Sequence, residues 1–438
     1  MSAAPQRTGL RDAHLHLAEH GENLGAIHLH DCIDLADCLD RIAQAKTAAD
    51  EGAWIIARGA RIESWPERRF PSAIELDEVV GNRPVMVASF DFHSASISTR
   101  AMAHAGITAD TADPPGGIVE RDATGAPTGV VLESAYKRVL AAMAALTDAQ
   151  YLAHVRTAQD DLVAQGFVEV HDMMASVRLA EALRALDEAD ALRLTVVLHA
   201  IPEKFDALRT WFAAAPRSPR IRFGGLKLFT DGTVNSRTAA MLHTYADPIR
   251  AHPRGTPLFT DAQLDAHFAR AHSEGFDIAT HAIGDAAVRQ VLDAFERVPA
   301  TRRCRLRIEH AQFIDEADVP RFAGLGVVAS VQPCHLLTDI EAIHRLVPHR
   351  ADRAFPLRDL VDAAKSAGRD PRDLVWFGSD TPVVPPTPAD NIRAAVHRCR
   401  AEPGCAVVGP DQAIDAELAW SIMRAPADPT PLRADPAR

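Results

Sequence analysis

Long apolar runs are missing from this sequence, and their absence separates it from membrane proteins. No stretch reaches the about 18 apolar residues that a transmembrane helix needs. The start, "MSAAPQRTGLRDAHLHL", also lacks the basic segment followed by an apolar segment that is typical of a secretion signal. We therefore expect a soluble, cytoplasmic protein without a membrane partner.

Positive charge and paired cysteines are scarce as well. Lys and Arg number 47 against 59 Asp and Glu, for a formal net charge of -12, and the basic residues are scattered along the chain. Such a chain has no general attraction for phosphate backbones, so nucleic acid is not an expected partner. The six cysteines include no CxxC pair, and we interpret them as reduced and mostly structural.

The sequence does contain a repeated alternation of strand-like and helix-like segments. Short Val/Ile/Leu/Phe-rich runs occur at 8–17, 166–173, 192–200, 222–232, 276–282, 306–311, 326–333 and 374–380. Between two of them, "DAQLDAHFARAHSEG" predicts a helix with Asp261 as its N-cap and Gly275 as its stop. Eight strands that alternate with helices predict an α/β fold, the (β/α)8 or TIM barrel.

A long insertion follows the first strand. The predicted division is a first barrel strand, an inserted subdomain, the remainder of the barrel and a Pro-rich tail, at 1–20, 21–149, 150–425 and 426–438. The insertion has strand-like segments of its own and is far longer than an ordinary connection. Because it leaves and re-enters at the C-terminal rim of the barrel, we expect it to cap a site there.

Metal-ligand residue types recur at the ends of the predicted strands. His14 and His16, two positions apart in a strand, project from the same face and can bind one ion. Four more candidates each follow an apolar run: Lys227, His281, His310 and Asp380. A lone His-x-His is as well explained by packing or by surface exposure. Recurrence at the C-terminal ends of barrel strands instead predicts a metal centre, and imidazole and carboxylate ligands suit zinc and related divalent ions.

Lys227 is unusual because the chain has five lysines against 42 arginines, and this one lies in an apolar strand. A buried ammonium is costly and cannot bind a metal. In one interpretation its stem packs and its head pairs with Asp231 or Glu309. In the other, the neutral amine has reacted with CO2, and the resulting carbamate bridges two cations whose field stabilises it.

Asp380 follows "FGS" and precedes a Pro-rich loop. It is either a turn cap or a catalytic group that contacts a metal, takes a proton from the attacking water and returns it to the leaving group. Other polar residues near the predicted rim are weaker candidates for substrate contacts, each balanced by a structural role: His93, Glu133, His171, Asp172, Asn235, Arg237 and His335. Arg237 is suited to an anionic substrate group or to an ion pair with a carboxylate.

Several motifs resemble those of the amidohydrolase superfamily, within it the amidohydrolase-3 or YtcJ-like group that includes N-substituted formamide deformylases. They are "DAHLHL", "RPVMVASFDFHS", "GGIVERDATGAPTGVVLESA", "GLKLFTDGTVNSRTA", "THAIGDAAV", "RIEHAQ", "VVASVQPCH" and "FGSDTPV". The resemblance implies that His14, His16 and Asp380 bind one metal and that His281 and His310 bind a second. It further implies that Lys227 bridges the two as a carbamate.

Two departures from the family pattern affect the expectations. The first strand begins almost at the start of the chain and the expected strand-rich end is missing, so we expect the flanking β-sandwich of the family to be absent or vestigial. The usual Gly after the "DG" turn is replaced in "GTVNSRTA", which affects substrate specificity. The ligand residues are untouched by both departures.

These observations lead to one functional hypothesis with two alternatives. The leading hypothesis is a metal-dependent amidohydrolase with two Zn2+ or other divalent ions, which cleaves an amide-type C–N bond of a small molecule with metal-activated hydroxide. One alternative is an ester or lactone hydrolase with the same site. The other is a degenerate barrel that binds a ligand without turnover, although all six ligand residues are present. Formation of a homo-oligomer is left open.

Overall fold

The computed structural model describes residues 9–46, 54–62, 65–89, 94–114, 117–143, 146–250, 252–299 and 304–426. The chain divides into two compact units. The first unit combines 1–21 with 151–438, and the second contains 22–150. His93 lies outside the described residues.

The secondary-structure elements are numbered in chain order. The strands are β1 (Leu10–Leu15), β2 (Ile27–His28), β3 (Ile55–Ala60), β4 (Val85–Ser89), β5 (Ser94–Ile97), β6 (Gly117–Arg121), β7 (Pro127–Glu133), β8 (Phe167–Asp172), β9 (Thr195–Ala200), β10 (Ile221–Phe229), β11 (Asp277–Ala282), β12 (Leu306–His310), β13 (Val327–Val331) and β14 (Val375–Phe377). The helices are α1 (Leu17–Leu24), α2 (Leu35–Lys46), α3 (Ala73–Val80), α4 (Thr99–His104), α5 (Ser134–Ala142), α6 (Asp148–Ala164), α7 (Val177–Glu188), α8 (Pro202–Ala214), α9 (Asp261–Ser273), α10 (Asp285–Glu296), α11 (Val319–Leu325), α12 (His335–Leu346), α13 (Leu357–Ser366), α14 (Pro371–Leu374), α15 (Pro388–His397) and α16 (Ala416–Ile422). Short 3-10 turns are present at Pro348–Arg353 and Pro410–Gln412.

Eight strands of the first unit form one parallel sheet in the order β1-β8-β9-β10-β11-β12-β13-β14. The barrel prediction is therefore confirmed. The two outer strands of this order also meet, because the backbone N–H of Asp380 donates to the carbonyl oxygen of His14 (2.7 Å) and that of His16 donates to Thr381 (2.9 Å). These bonds bring the loop after β14 against β1 and nearly close the sheet into a barrel.

Both faces of the barrel strands are buried, which explains their nearly continuous apolar runs. The outward side chains pack against the helices in one large core that includes Val196, Ile278 and Phe377. Helix α9 illustrates how such helices begin. Its N-cap is Thr260, which forms a capping box with Gln263, so the prediction of Asp261 as the cap is wrong by one residue. Thr260 directly precedes Asp261, and its hydroxyl accepts from the free backbone N–H of Gln263, so Asp261 is left in the first turn of the helix.

The inside of the barrel holds charged residues that the apolar pattern does not indicate. The indole ring of Trp376 lies 4.0 Å from the guanidinium of Arg11, 4.7 Å from that of Arg305 and 5.0 Å from that of Arg307. Stacking on an aromatic face is favourable for guanidinium groups that have left water. Carboxylates, among them Glu169, offset part of the charge. The barrel interior is thus a polar network below the C-terminal rim.

The second unit has a sheet of six strands in the order β2-β3-β4-β5-β7-β6. β2, β3 and β4 pair in parallel, and the remaining neighbours pair antiparallel. One of its cores surrounds Trp65, whose indole N–H donates to the carbonyl of Cys32 (2.9 Å). This unit therefore has a folded core of its own. That it caps the barrel stays a prediction.

Two further expectations from the sequence concern disulfide bonds and membrane-spanning helices. Within the described part of the chain all six cysteines are free, and four of them are buried: Cys32, Cys38, Cys304 and Cys334. No helix in that part is both long and apolar enough to cross a bilayer.

Candidate metal centre

The six predicted ligand residues lie on five strands of the barrel sheet or directly after them. His14, Lys227, His281 and His310 belong to β1, β10, β11 and β12, whereas His16 and Asp380 follow β1 and β14. The imidazole rings form a continuous group, with ring centroids 4.9 Å apart for His14 and His310 and 4.4 Å apart for His281 and His310. The carboxyl ends of neighbouring parallel strands converge, which is why residues so distant in sequence meet here.

The carboxylate of Asp380 is the centre of this group. Its Oδ1 atom lies 3.0 Å from Nε2 of His16 and 3.3 Å from Nε2 of His14, and its Oδ2 atom lies 4.0 Å from Nε2 of His335. Burial opposes its ionisation, but the neighbouring histidines, His14 first, hold the pKa of Asp380 well below its usual range. Oδ1 therefore faces His14 and His16, and Oδ2 faces His335 at the start of α12.

Asp12 holds the backbone that presents these ligands. Its Oδ1 accepts from the backbone N–H of His14 (3.0 Å) and of Ser379 (3.1 Å), and its Oδ2 accepts from the Ser379 hydroxyl (2.6 Å). Asp380 itself has a φ of +62°, a left-handed conformation that is uncommon for residues other than Gly. The single carboxylate of Asp12 thus joins β1 to the loop that carries Asp380.

In the part of the chain that the structure describes, two overlapping groups of His and Asp side chains have ligand atoms within 4.8 Å of one another. One contains His14, His16 and Asp380, and the other contains His310, His335 and Asp380. His281 belongs to neither, because its Nε2 atom lies 3.2 Å from the carbonyl of Gly232 and 3.3 Å from Asp231. The structure thus brings His335, considered from sequence as a substrate contact, within reach of the same carboxylate that the β1 histidines share.

The two nitrogens of His14 indicate that a cation fits here. Nδ1 lies 2.8 Å from the carboxylate of Glu309, so Nδ1 carries the proton and Nε2 presents its lone pair to Oδ1 of Asp380. Burial, together with the charge of Lys227, lowers the pKa of His14 to about 4, so its ring is neutral near pH 7. Two acceptor atoms facing each other repel unless a cation lies between them. A bound divalent metal satisfies this requirement.

Lys227 has the second feature that fits a bound group. Its side chain is 0% exposed, and among the described residues its Nζ atom has no hydrogen-bond partner. Burial lowers the pKa of its amine to about 8, while the charges of Glu309 and Asp380 oppose that shift. Its Nζ atom lies 4.9 Å from the centroid of the Phe229 ring. A buried polar group without a partner requires an explanation, and a bridging group on this amine would provide one.

The two carboxylates considered from sequence as partners of Lys227 are engaged elsewhere. Asp231 accepts from the backbone N–H groups of Ala240, Ile283 and Gly284 at 2.8–3.0 Å. Glu309 accepts from His14 and pairs with Arg307. Neither carboxylate forms a hydrogen bond to Lys227. This argues against the interpretation in which the lysine head pairs with Asp231 or Glu309.

Arg307 was not identified from sequence as part of the site, and Glu309 was considered only as an ion-pair partner of Lys227. Arg307 Nη2 donates to Glu309 Oε2 (3.2 Å), and Nε lies 2.8 Å from Oε1 without the alignment of a hydrogen bond. Burial alone would raise the pKa of Glu309, but Arg307 and His14 hold it well below its usual range. His310 has a φ of +70°, so the strand alternation ends there and both Glu309 and His310 reach His14. In the sequence, the signal for Glu309 was its position directly before the predicted ligand His310.

The weaker sequence candidates have varied surroundings. In the interior, His171 accepts at Nδ1 from Arg307 (2.7 Å), and Asp172 accepts from the backbone N–H of Leu17 (2.8 Å) and of Met174 (3.0 Å). These two residues have structural partners.

At the rim, Asn235 donates to Asp339 (3.0 Å), and Arg237 pairs with Asp247 (2.9 Å). Asp339 also accepts from the amide of Gln312 (3.0 Å), so it connects the loops after β10 and β12 to α12. Glu133 ends β7 in the second unit and is exposed.

Comparison with known proteins is consistent with this geometry. The Amidohydrolase family matches residues 8–427 of the chain. A putative amidohydrolase, YtcJ, of Bacillus subtilis (strain 168) is 27% identical over 407 residues, which cover 91% of this chain and 74% of that protein. An N-substituted formamide deformylase of Arthrobacter pascens is 27% identical over 438 residues, covering 94% and 76%. The crystal structure of an uncharacterized metal-dependent hydrolase from Pyrococcus horikoshii OT3 is 26% identical, with a TM-score of 0.77 and coverage of 95% and 79%.

Proposed function

This chain belongs to the amidohydrolase family and is a metal-dependent hydrolase, and we propose that it hydrolyses an amide-type C–N bond of a small molecule. The observation that carries the proposal is the convergence of His14, His16 and Asp380 on one buried point, where acceptor atoms face each other. Similarity to an N-substituted formamide deformylase supports a C–N bond as the target.

We propose that the ligand residues bind two divalent metals, zinc being well suited to them. His14, His16 and Asp380 would bind one, and His281 and His310 would bind the other. A metal held there would supply Lewis-acid activation of a water molecule and of the scissile carbonyl. His335 lies 4.0 Å from Oδ2 of Asp380, the oxygen that does not face His14 and His16, which fits a contact with the substrate or an additional ligand.

Lys227 is proposed to be carboxylated. The neutral amine nitrogen would attack the carbon of CO2 and lose one proton, so that the product is an anion with two oxygen ligands. Its burial and the lack of a hydrogen-bond partner for Nζ among the described residues support this modification, because an ammonium at the same place would repel bound cations. The carbamate would supply the negative charge that otherwise comes only from Asp380.

Asp380 is proposed as the catalytic base and acid. Its Oδ1 faces His14 and His16, so Oδ2 is the atom available to take a proton from the attacking water and to deliver it to the leaving nitrogen. Asp12 orients the carboxylate by fixing the backbone of Ser379. The buried setting excludes bulk water from this proton transfer.

The test is a reconstitution and substrate screen. Metal-free protein supplied with Zn2+ and bicarbonate is assayed on formamides, cyclic amides and N-acyl amino acids, each beside the ester or lactone of matching shape. Asp380→Asn is the control for contaminating hydrolases. Turnover of a C–N substrate that is lost in Asp380→Asn supports the proposal. Turnover of esters alone would favour the ester or lactone alternative, and zinc binding without turnover of any substrate would favour a binding protein.

A further inference from the structure

Glu309 forms a short hydrogen bond to a proposed metal ligand. Its Oε2 atom lies 2.8 Å from Nδ1 of His14, and the two side chains are 0% and 2% exposed. Arg307, always charged, contacts both oxygens of Glu309, at 3.2 Å and 2.8 Å, so this group is a carboxylate. A carboxylate only accepts hydrogen bonds, and therefore His14 donates from Nδ1.

We propose that Glu309 is a positioning residue that holds His14 as the Nδ1–H tautomer, with Nε2 directed at the metal. Arg307 anchors Glu309 in turn, by bonds that also reach the carbonyl of Ala13 (2.7 Å) and the hydroxyl of Ser330 (3.0 Å). Carboxylates that accept from a ligating histidine fix its ring orientation and raise its basicity. This inference rests on the proposed metal centre.

A second Glu–His pair inside the same barrel serves a different purpose. Glu169 lies 3.3 Å from Nε2 of His171, and Nδ1 of His171 accepts from Arg307 at 2.7 Å. Both ring nitrogens of His171 are thus bonded to protein, and none remains for a metal. In His14 one nitrogen is bonded, and the other faces Asp380 at 3.3 Å without a hydrogen bond. The two pairs share chemistry and burial but differ in this one open nitrogen.

The charge of Glu309 is already balanced below the site. Arg307 and Glu309 form a neutral pair, so together they add no net charge to the metal ligands. Lys227 lies nearby, yet its Nζ atom has no hydrogen bond to Glu309 among the described contacts. The remaining role that fits the geometry is orientation of the His14 ring.

The test compares Zn2+ affinity in two matched variants, Glu309→Gln and Glu169→Gln. Metal-free full-length protein is titrated with Zn2+ against a chromophoric chelator, and the melting temperature of the metal-free form is measured for each variant. Gln keeps the size of the side chain but can turn its NH2 group toward His14 and release the tautomer. We expect affinity to fall about 10- to 100-fold in Glu309→Gln and to stay unchanged in Glu169→Gln.

Several results would overturn the inference. Equal affinity in Glu309→Gln and the wild type would do so, as would an equal loss in both variants, which indicates general damage to the barrel. A wild-type protein that binds no Zn2+ would overturn the proposed function itself, which makes the two failures distinguishable.

If Glu309→Gln does not fold, a crystal structure of the Zn2+-loaded wild type decides. It should show zinc on Nε2 of His14 and Glu309 still bonded to Nδ1. Zinc on Nδ1, or a carboxylate turned to Lys227, contradicts the proposal.

Discussion

The backbone amide of Asp380 donates a 2.7 Å hydrogen bond to the carbonyl oxygen of His14. This bond joins two proposed ligands through their main chains, although 365 residues separate them in the sequence. Gly378 makes the close approach possible, since a Cβ atom there would lie 2.7 Å from the His14 nitrogen and 2.8 Å from its Cβ. The geometry of the site therefore depends on Gly378, although this residue has no side chain that could bind a ligand.

Substitution Gly378→Ala should move β14 away from β1. We expect the unfolding free energy to fall by about 1–3 kcal/mol from overpacking, together with a loss of Zn2+ affinity. Gly324→Ala is the matched control, because Gly324 lies in α11 with nothing within 4 Å of its added Cβ atom. The control should be neutral or stabilising by up to about 1 kcal/mol. Unchanged zinc affinity in Gly378→Ala would show that the closing contact is dispensable.

Metal content should approach two equivalents of divalent metal per chain when the protein is purified without chelator. The reason is the number of buried imidazole and carboxylate groups at the rim, which exceeds what one four-coordinate ion requires. Elemental analysis of preparations with known specific activity checks this expectation. A fully active preparation with one equivalent would show that the second position is not needed.

Substitution Lys227→Ala should remove metal and activity together, leaving about 1% of wild-type turnover or less, because metal-ion catalysis supplies several kcal/mol of the rate enhancement. Lys365→Ala, an exposed lysine of α13, is the control and should behave as wild type. Short carboxylic acids are expected to restore part of the activity, because their two carboxylate oxygens can replace those of the carbamate in the vacated space. Retention of metal and turnover in Lys227→Ala would eliminate the bridging role.

Asp277 should make stability depend on pH. Burial raises its pKa from 3.8 to about 6, against the opposing charge of Arg305. The folded chain then binds this proton more tightly than the unfolded chain, so this contribution to the unfolding free energy falls as the pH rises from about 4 through about 6.

In the wild type the backbone N–H of Arg305 donates to the Asp277 carboxylate at 2.7 Å. The Asp277→Asn variant lacks the titration but keeps an oxygen that can accept this hydrogen bond. Relative to wild type, its unfolding free energy should increase by about 2 kcal/mol between about pH 4 and pH 7, as measured by urea denaturation. A difference that does not change with pH would mean that Asp277 titrates normally.

The barrel was predictable because strand period and chain order are local properties. Each of the eight apolar runs became a strand, and parallel strands present their ends at one rim whatever the details of packing. The position of Glu309 was not predictable from these rules. Regular alternation places it opposite to His310, and only the left-handed backbone at His310 brings both inward.

The other surprises have the same origin in tertiary structure. His335 approaches Asp380 because the loop after β14 turns through a φ of +62° at Asp380, and a sequence pattern does not encode such a turn. The partner of Arg237 is Asp247, ten residues along the same loop, one of many carboxylates that the sequence offers. Which side chains meet inside a barrel depends on how its eight strands are staggered. The sequence of a single strand does not determine that stagger.

The separation of β1 from β8 along the chain has a consequence for biosynthesis. The ribosome delivers His14 and His16 first, then the whole second unit, and only afterwards the strand that pairs with β1. At about 5–20 residues per second, the intervening segment delays that pairing by roughly ten seconds, and Asp380 emerges later still. The proposed metal centre would therefore be completed last. A nascent or prematurely terminated chain would hold His14 and His16 without Asp380, so metal uptake would report completed synthesis.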